Sequence, residues 1–276
     1  MPKTSAGELQ LYYEIHGAGE PLVLIPGFRT GLWLWVRQVA TFAEKFRTIV
    51  FDPRGIGRSD SSDAPLTVKT MADDLSGLLS ALGIEQAHIL GASFGGFVAQ
   101  EFAIAYPQMT RSLILCCTSS GGVGHMLPSV STLQRLAAIE GLNTEERTRQ
   151  NLLIAFSPKF IAEHPQEIEE VIKLRLSNPV TDQAHFAQLH AAATFDAASR
   201  VSEITAPTLV MTGDEDTIVP PGNCTKLAAQ IPHAGLKVIE GGSHMFFIEQ
   251  PESFNQAVIE FINQVQSSSL KDNETL

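Results

Sequence analysis

Cysteine is nearly missing from this chain, with three in 276 residues. Three cannot all pair, and Cys116 and Cys117 are neighbours inside an apolar run. That placement suits small buried strand residues in a reducing compartment better than a disulfide framework. No Cys-x-x-Cys pair and no Cys/His cluster with zinc spacing occurs, so no structural metal is expected. Basic residues are also short, 19 Lys and Arg against 30 Asp and Glu, for a net charge of −11. A surface of that sign repels polyanions, so neither nucleic acid nor an anionic membrane is expected as a partner. Long hydrophobic runs are lacking too, and nothing approaches the roughly 18 apolar residues of a membrane span. The opening residues Met1-Pro2-Lys3-Thr4-Ser5-Ala6-Gly7-Glu8 have no apolar h-region, and the expected location is the cytoplasm.

What remains is ample material for a core. Hydrophobic residues make up 44% of the chain, enough for one large domain or a domain with an insertion. The first half alternates strand and helix patterns. Leu9 to Ile15 alternates with period two, and His16-Gly17-Ala18-Gly19 turns the chain back. Leu22-Val23-Leu24-Ile25, Thr48-Ile49-Val50-Phe51, Ala87-His88-Ile89-Leu90 and Leu113 to Cys117 are short apolar runs. Runs of this kind read as strands covered on both faces. Helical stretches separate them, one from Thr70 to Leu82 and one carrying Val98, Phe102 and Ala105, stopped by Pro107. This alternation implies a mostly parallel α/β sheet with helices on both faces.

Between about Gly122 and Arg200 the strand runs vanish. Ile168, Val171, Ile172 and Leu176 have helical spacing, and prolines 128, 158, 165 and 179 divide the region into four or five helices. Strands resume at Thr208-Leu209-Val210-Met211 and Leu236-Lys237-Val238-Ile239. The expected organisation is therefore a core of residues 1–121 and 201–276, with residues 122–200 inserted as an α-helical cap over the carboxyl ends of the strands. Ser267 to Glu274 is polar and is expected to fray.

Three residues point to chemistry. Ser93 lies in Gly91-Ala92-Ser93-Phe94-Gly95, between a strand run and a helical run, where a tight turn lifts a lone hydroxyl above the sheet edge. Asp216 lies in Gly213-Asp214-Glu215-Asp216 just past a strand, where a carboxylate can hold an imidazole N–H. Asp214 and Glu215 compete for that role. His244 follows Gly241-Gly242-Ser243, after the last strand, and would serve as general base. Oxyanion donors are expected at the backbone N–H groups of Phe94 and of Phe28, the latter in Pro26-Gly27-Phe28-Arg29. Candidate pocket residues are Arg29 and Trp35 beside that loop, and Phe156, Phe160, Phe186 and Phe195 in the helical stretch. Arg29 could meet an acidic group of the substrate.

Together these residues resemble the α/β-hydrolase superfamily over nearly the whole chain. Asp52-Pro53-Arg54-Gly55-Ile56-Gly57-Arg58-Ser59 resembles the family's loop after its fourth strand, and Gly213 to Pro220 its acid loop. Gly241 to His244 resembles its histidine loop. The oxyanion loop of the family usually begins His-Gly, and here it begins Pro26-Gly27. The chain is most similar to small capped bacterial carboxylesterases and β-ketoadipate enol-lactonases. The resemblance implies a serine hydrolase acting on a small-molecule carboxylic ester or lactone, with no cofactor, and it leaves a homodimer open. Thioester hydrolysis, carbon–carbon bond hydrolysis, peracid formation and a receptor that binds without turnover are the rival readings, because one triad and pocket can serve all of them.

Overall fold

The computed structural model describes residues 3–62, 64–138 and 141–274. Eight strands form one sheet: β1 (Lys3–Ala6), β2 (Leu9–His16), β3 (Glu20–Ile25), β4 (Phe46–Phe51), β5 (Ala87–Ala92), β6 (Thr110–Cys116), β7 (Thr208–Gly213) and β8 (Ala234–Ile239). Their order is β1-β2-β4-β3-β5-β6-β7-β8. The pairs β1·β2 and β2·β4 are antiparallel and the rest are parallel.

Period two sorts the strand side chains onto two cores. Val23, Ile25, Ile89, Leu113 and Leu115 face one way, while Leu22, Leu24, Leu90, Ile114 and Cys116 face the other. The first face is covered by α2 (Val68–Ala81) and α3 (Phe94–Ala105), through Leu75, Leu78, Val98 and Phe102. The second is covered by α1 (Val39–Ala43) and α11 (Pro251–Glu274), through Phe42, Phe254, Val258 and Ile262. Every residue of β5 is buried, as its continuous apolar run implies. Helix α2 starts on a capping box between Thr67 and Thr70, which satisfies two orphan backbone donors.

Among the described residues, five helices lie between β6 and β7: α4 (Val130–Ala137), α5 (Thr144–Ile154), α6 (Pro158–Glu163), α7 (Pro165–Ser177) and α8 (Asp182–Thr194). Pro158 and Pro165 open α6 and α7, where the missing N–H costs nothing. Asn143 and Glu146 form a capping box on α5, and Thr181 caps α8. The ends of this segment meet at a neck. Gly121 bridges Asp196, the Gly122 N–H donates to Phe195 O at 3.1 Å, and the Ala197 N–H donates to Ser120 O at 2.8 Å. Two further helices, α9 (Gly222–Gln230) and α10 (Phe246–Glu249), follow β7 and β8.

Two features depart from expectation. Strand β1 is a short polar edge without a hydrophobic alternation to announce it. Helix α11 continues through the serine run to Glu274 instead of fraying. Ser267 and Ser268 donate to the carbonyls of Asn263 and Gln264, so the hydroxyls are satisfied within the helix. Among the described residues, no helix is long and apolar enough to cross a membrane.

Candidate active site

Ser93 follows β5 and caps α3 with φ 53 and ψ −119, a backbone conformation that costs a non-glycine residue on the order of 1–3 kcal/mol. Its surroundings impose that turn. The Ser93 N–H donates to Cys116 O at 2.8 Å, and Thr118 Oγ1 donates to Ser93 O at 2.8 Å. A Cβ on Gly95 would lie 2.4 Å from Ile25 O, and one on Gly91 2.3 Å from Gly95 O. Only glycine permits so close a fit of the elbow against the end of β3.

Asp216 and His244 are brought together from the loops after β7 and β8. His244 Nδ1 lies 2.8 Å from Asp216 Oδ2, and the Asp216 side chain is fully buried. A buried carboxylate accepts, so Nδ1–H donates and Nε2 is left for a second partner. Asp216 Oδ1 also accepts from the Ile218 and Val219 N–H groups at 2.9 and 2.8 Å. Asp214 is used otherwise: exposed, it accepts from the Gly241 N–H at 2.7 Å and ties the acid loop to the histidine loop. Glu215 contributes its backbone N–H to Gly242 O at 2.9 Å. Of the three acids in the loop, Asp216 is the one that meets the imidazole. Cys117, adopting φ 43 next to this pair, is a buried thiol pushed well up by burial and then by the Asp216 charge, so it stays protonated.

The Pro26–Thr30 loop lies against the serine turn. A Cβ on Gly27 would sit 3.5 Å from Ser93 Cβ, and the rings of Phe28 and Phe94 meet edge-on at 6.2 Å. The backbone N–H groups of Phe28 and Phe94 make no hydrogen bond to another described residue. Asp52, 3% exposed, explains the Asp52–Ser59 motif. Its Oδ1 accepts from the Leu32 N–H at 3.0 Å and its Oδ2 from the Arg58 N–H at 3.1 Å, bracing the first loop from below. Glycine is required at 31 and 57, where a Cβ would lie 2.4 Å from those carboxylate oxygens.

The pocket residues named from the sequence divide. Phe195 joins the site through Phe97, stacked at 4.6 Å, which in turn meets Phe94. Arg29 is half-buried at φ 58, next to Phe28. Trp35 is a correction: it is fully buried in the second core against Phe247, because the short helical turn from Leu32 to Trp35 points it away from the loop. Phe156 and Phe160 stack on each other in that same core, and Phe160 lines a separate surface cleft of about 270 Å³. Phe186 is 64% exposed. It lies two residues before the buried Gln188, about 200° around the helix, on the outer face of α8.

Residues that the sequence did not single out complete the frame. Gln188 of α8, 1% exposed, accepts the Arg29 N–H on Oε1 at 2.7 Å. His185, one turn earlier, packs on the Phe28 ring at 5.5 Å. Glu249 accepts from the Ser157 and Ser243 N–H groups at 2.6 and 2.8 Å, pinning the histidine loop to the start of α6. The helical segment therefore touches both the Pro26–Thr30 loop and the histidine loop. Among the described residues, no group of three or more His, Cys, Asp or Glu is placed to hold a metal ion.

The sequence matches the α/β hydrolase fold family over residues 20–251. The chain belongs to that family. It is 31% identical to a protein of Azorhizobium caulinodans named as the carbamate hydrolase RutD, over 96% of this chain and 99% of that one. It is 32% identical to a 2-hydroxy-6-oxononadienedioate/2-hydroxy-6-oxononatrienedioate hydrolase of Paraburkholderia phymatum, over 93% and 92% of the two chains. A thermophilic esterase from Thermogutta terrifontis superposes with a TM-score of 0.80 at 30% identity, covering 95% of this chain and 96% of that one. As an α/β-hydrolase, the protein is a hydrolase. The bond it cleaves has to be argued from the site.

Proposed function

We propose that this α/β-hydrolase cleaves a carboxylic ester or lactone through an acyl-enzyme on Ser93. One observation carries the reading: a serine sits in a strained strand-to-helix turn after β5, and in the loops after β7 and β8 of the same sheet a histidine has its Nδ1 held by a buried carboxylate. With Nδ1–H committed to Asp216, Nε2 accepts the Ser93 hydroxyl proton as Oγ attacks the carbonyl carbon. The unengaged Phe28 and Phe94 N–H groups receive the oxyanion, Phe94 from the first turn of α3, where backbone donors have no intrahelical acceptor. Nε2–H then protonates the departing alkoxide. Water, deprotonated by the same nitrogen, attacks the acyl carbon and returns Ser93 as the free alcohol. Pro26, where the family usually has histidine, leaves this scheme intact because the donors are backbone groups. Helices α4–α8 act as a cap whose α8 face shapes the substrate side of the oxyanion loop.

The relative from Paraburkholderia phymatum supports a second reading, hydrolysis of a carbon–carbon bond on the same residues. A fluorophosphonate probe and a panel of p-nitrophenyl esters, lactones and a vinylogous 1,5-diketone test both. The ester reading expects labelling at Ser93, turnover of esters or lactones, and a loss of about 10⁴–10⁶ in kcat for Ser93→Ala. Labelling at another serine, or turnover of the diketone alone, would sink it.

A further inference from the structure

The turn that carries the assigned oxyanion donor Phe28 is held unevenly. Its ends are fixed: the Thr30 N–H and Oγ1 donate to Gly27 O at 3.3 and 2.8 Å, and Asp52 holds the residues beyond through the Leu32 N–H at 3.0 Å. Gly27, Phe28, Arg29 and Thr30 thus form a four-residue turn with Arg29 in third place. Arg29 has φ 58, the left-handed value that this place takes in a type II turn, where glycine is the usual residue. A side chain there favours the alternative turn, in which the central peptide is rotated by about half a turn and φ is negative. The Arg29 guanidinium gives no anchor against that rotation. It makes no hydrogen bond or ion pair with another described residue, and its Nε is buried without a partner. The peptide between Phe28 and Arg29 has one hydrogen bond to a described residue, from the Arg29 N–H to Gln188 Oε1 at 2.7 Å. A backbone N–H can only donate, so the Gln188 amide must present its oxygen.

Helix α8 does not need Gln188 to stay in place. Ala191 seats it in the first core, His185 packs on the Phe28 ring at 5.5 Å, and Ala184 Cβ would lie 3.5 Å from a Cβ on Gly55. Gln188 is 1% exposed, and its Nε2 is buried without a partner. An unpaired buried donor costs stability that an apolar side chain of similar size would not. The amide is explained by what its oxygen holds.

We propose that Gln188 is a positioning residue: by accepting the Arg29 N–H it locks the oxyanion turn in its left-handed form and ties the aim of the Phe28 N–H to the seating of α8. The proposal rests on the acyl-enzyme reading above, in which Phe28 supplies one of the two oxyanion donors. Rotating the central peptide changes ψ at Phe28 and swings the Phe28 carbonyl oxygen to the side where the Arg29 N–H now points. That oxygen would face Gln188 Oε1, acceptor against acceptor, so the amide opposes the rotated turn as well as holding the present one. Without the amide the rotated turn competes. Because both ends of the turn are fixed, the change at Phe28 is taken up by neighbouring torsions and moves the Phe28 N–H. Oxyanion stabilisation needs donors aimed at one point, and a misplacement of about 1 Å costs on the order of 10²-fold in rate.

Gln188→Met removes the acceptor at nearly constant volume. With p-nitrophenyl acetate, kcat should fall about 10- to 100-fold while KM stays within about twofold, the pattern of an interaction made in the transition state. Phenylboronic acid forms a tetrahedral adduct on Ser93 with an oxygen in the oxyanion position. Its dissociation constant should rise by the factor by which kcat falls. The deciding variant is Arg29→Gly. Glycine takes a positive φ freely, so in that background Gln188→Met should lower kcat by less than about threefold. An equal loss in both backgrounds, a loss confined to KM with boronate affinity unchanged, or a Gln188→Met enzyme within about threefold of the wild type overturns the proposal. If the wild type does not hydrolyse the ester, the ester reading has failed and boronate affinity alone judges Gln188. A weakening of about tenfold or more in Gln188→Met that is absent in the Arg29→Gly background supports the role. Unchanged affinity, or no boronate binding to the wild type, overturns it.

Discussion

Replacing Asp216 by asparagine separates its structural work from its chemical work. The carboxylate takes three hydrogen bonds while fully buried, from Ile218, Val219 and His244. Asparagine keeps a carbonyl oxygen that can still accept from the two backbone N–H groups, so most of the loop survives. What it cannot do is accept from His244 Nδ1–H while its own amide nitrogen faces that atom. The imidazole must then adopt the other tautomer, with the proton on Nε2 and no lone pair for the serine. The expected cost in kcat is about 10⁴, or about 5.4 kcal/mol at 1.36 kcal/mol per decade. The expected stability cost is only about 1–2 kcal/mol, since one charge-assisted bond is lost and the acceptor for the other two is kept. Steady-state hydrolysis of a p-nitrophenyl ester and a thermal melt measure the two quantities on one preparation. Asp214→Asn is the matched control, because that exposed carboxylate serves a loop hydrogen bond and never meets the imidazole. A folded Asp216→Asn enzyme within about tenfold of the wild type, or a larger loss in Asp214→Asn, would refute the reasoning.

Two further outcomes test the frame around the site. Glu20 holds the outer ends of β3, β5 and β6: burial raises its pKa, but hydrogen bonds from Gln266, His88 and Arg111, with the Arg111 charge, bring it down to about 2. A folded value below the unfolded one stabilises the protein above about pH 4.3, and that stabilisation fades as pH falls toward 2. The side chain is 34% exposed, so solvent screening discounts the effect. Glu20→Gln should cost about 1–2 kcal/mol at pH 7 and converge with the wild type near pH 2; urea unfolding showing a pH-independent gap would contradict this. Gly95→Ala forces a methyl to within 2.4 Å of Ile25 O, so it should destabilise by more than about 2 kcal/mol and lower kcat, and a variant that melts with the wild type would show that the elbow can relax.

The parallel strands were legible because burial on both faces writes them as unbroken apolar runs, as in Leu22 to Ile25. The serine, the acid loop and the histidine were legible because each lies just past such a run. The choice of Asp216 over Asp214 came from the resemblance to the family's acid loop, since spacing alone does not say which carboxylate turns inward. Side-chain direction was lost in the same way for Trp35 and Phe186, whose size suggested a pocket wall. Gln188 and His185 gave no signal either. Helix α8 buries Gln188 and Ala191 while exposing Phe186 and Leu189, so polarity does not mark its inner face. That inversion is itself the trace of a site, because a buried glutamine on a helix with outward apolar residues has a partner elsewhere in the chain.

The neck at Gly121 and Asp196 makes the helical segment exchangeable. Its two ends leave and rejoin the sheet one hydrogen-bonded bridge apart, so a replacement of different length adds little closure entropy and need not move β6 or β7. Such a graft has two sockets to fill. It must present an acceptor to the Arg29 N–H, as Gln188 does, and a backbone donor to Glu249, as Ser157 does. A lineage that altered the helices while keeping those two contacts could acquire a new substrate without rebuilding the machinery beneath it.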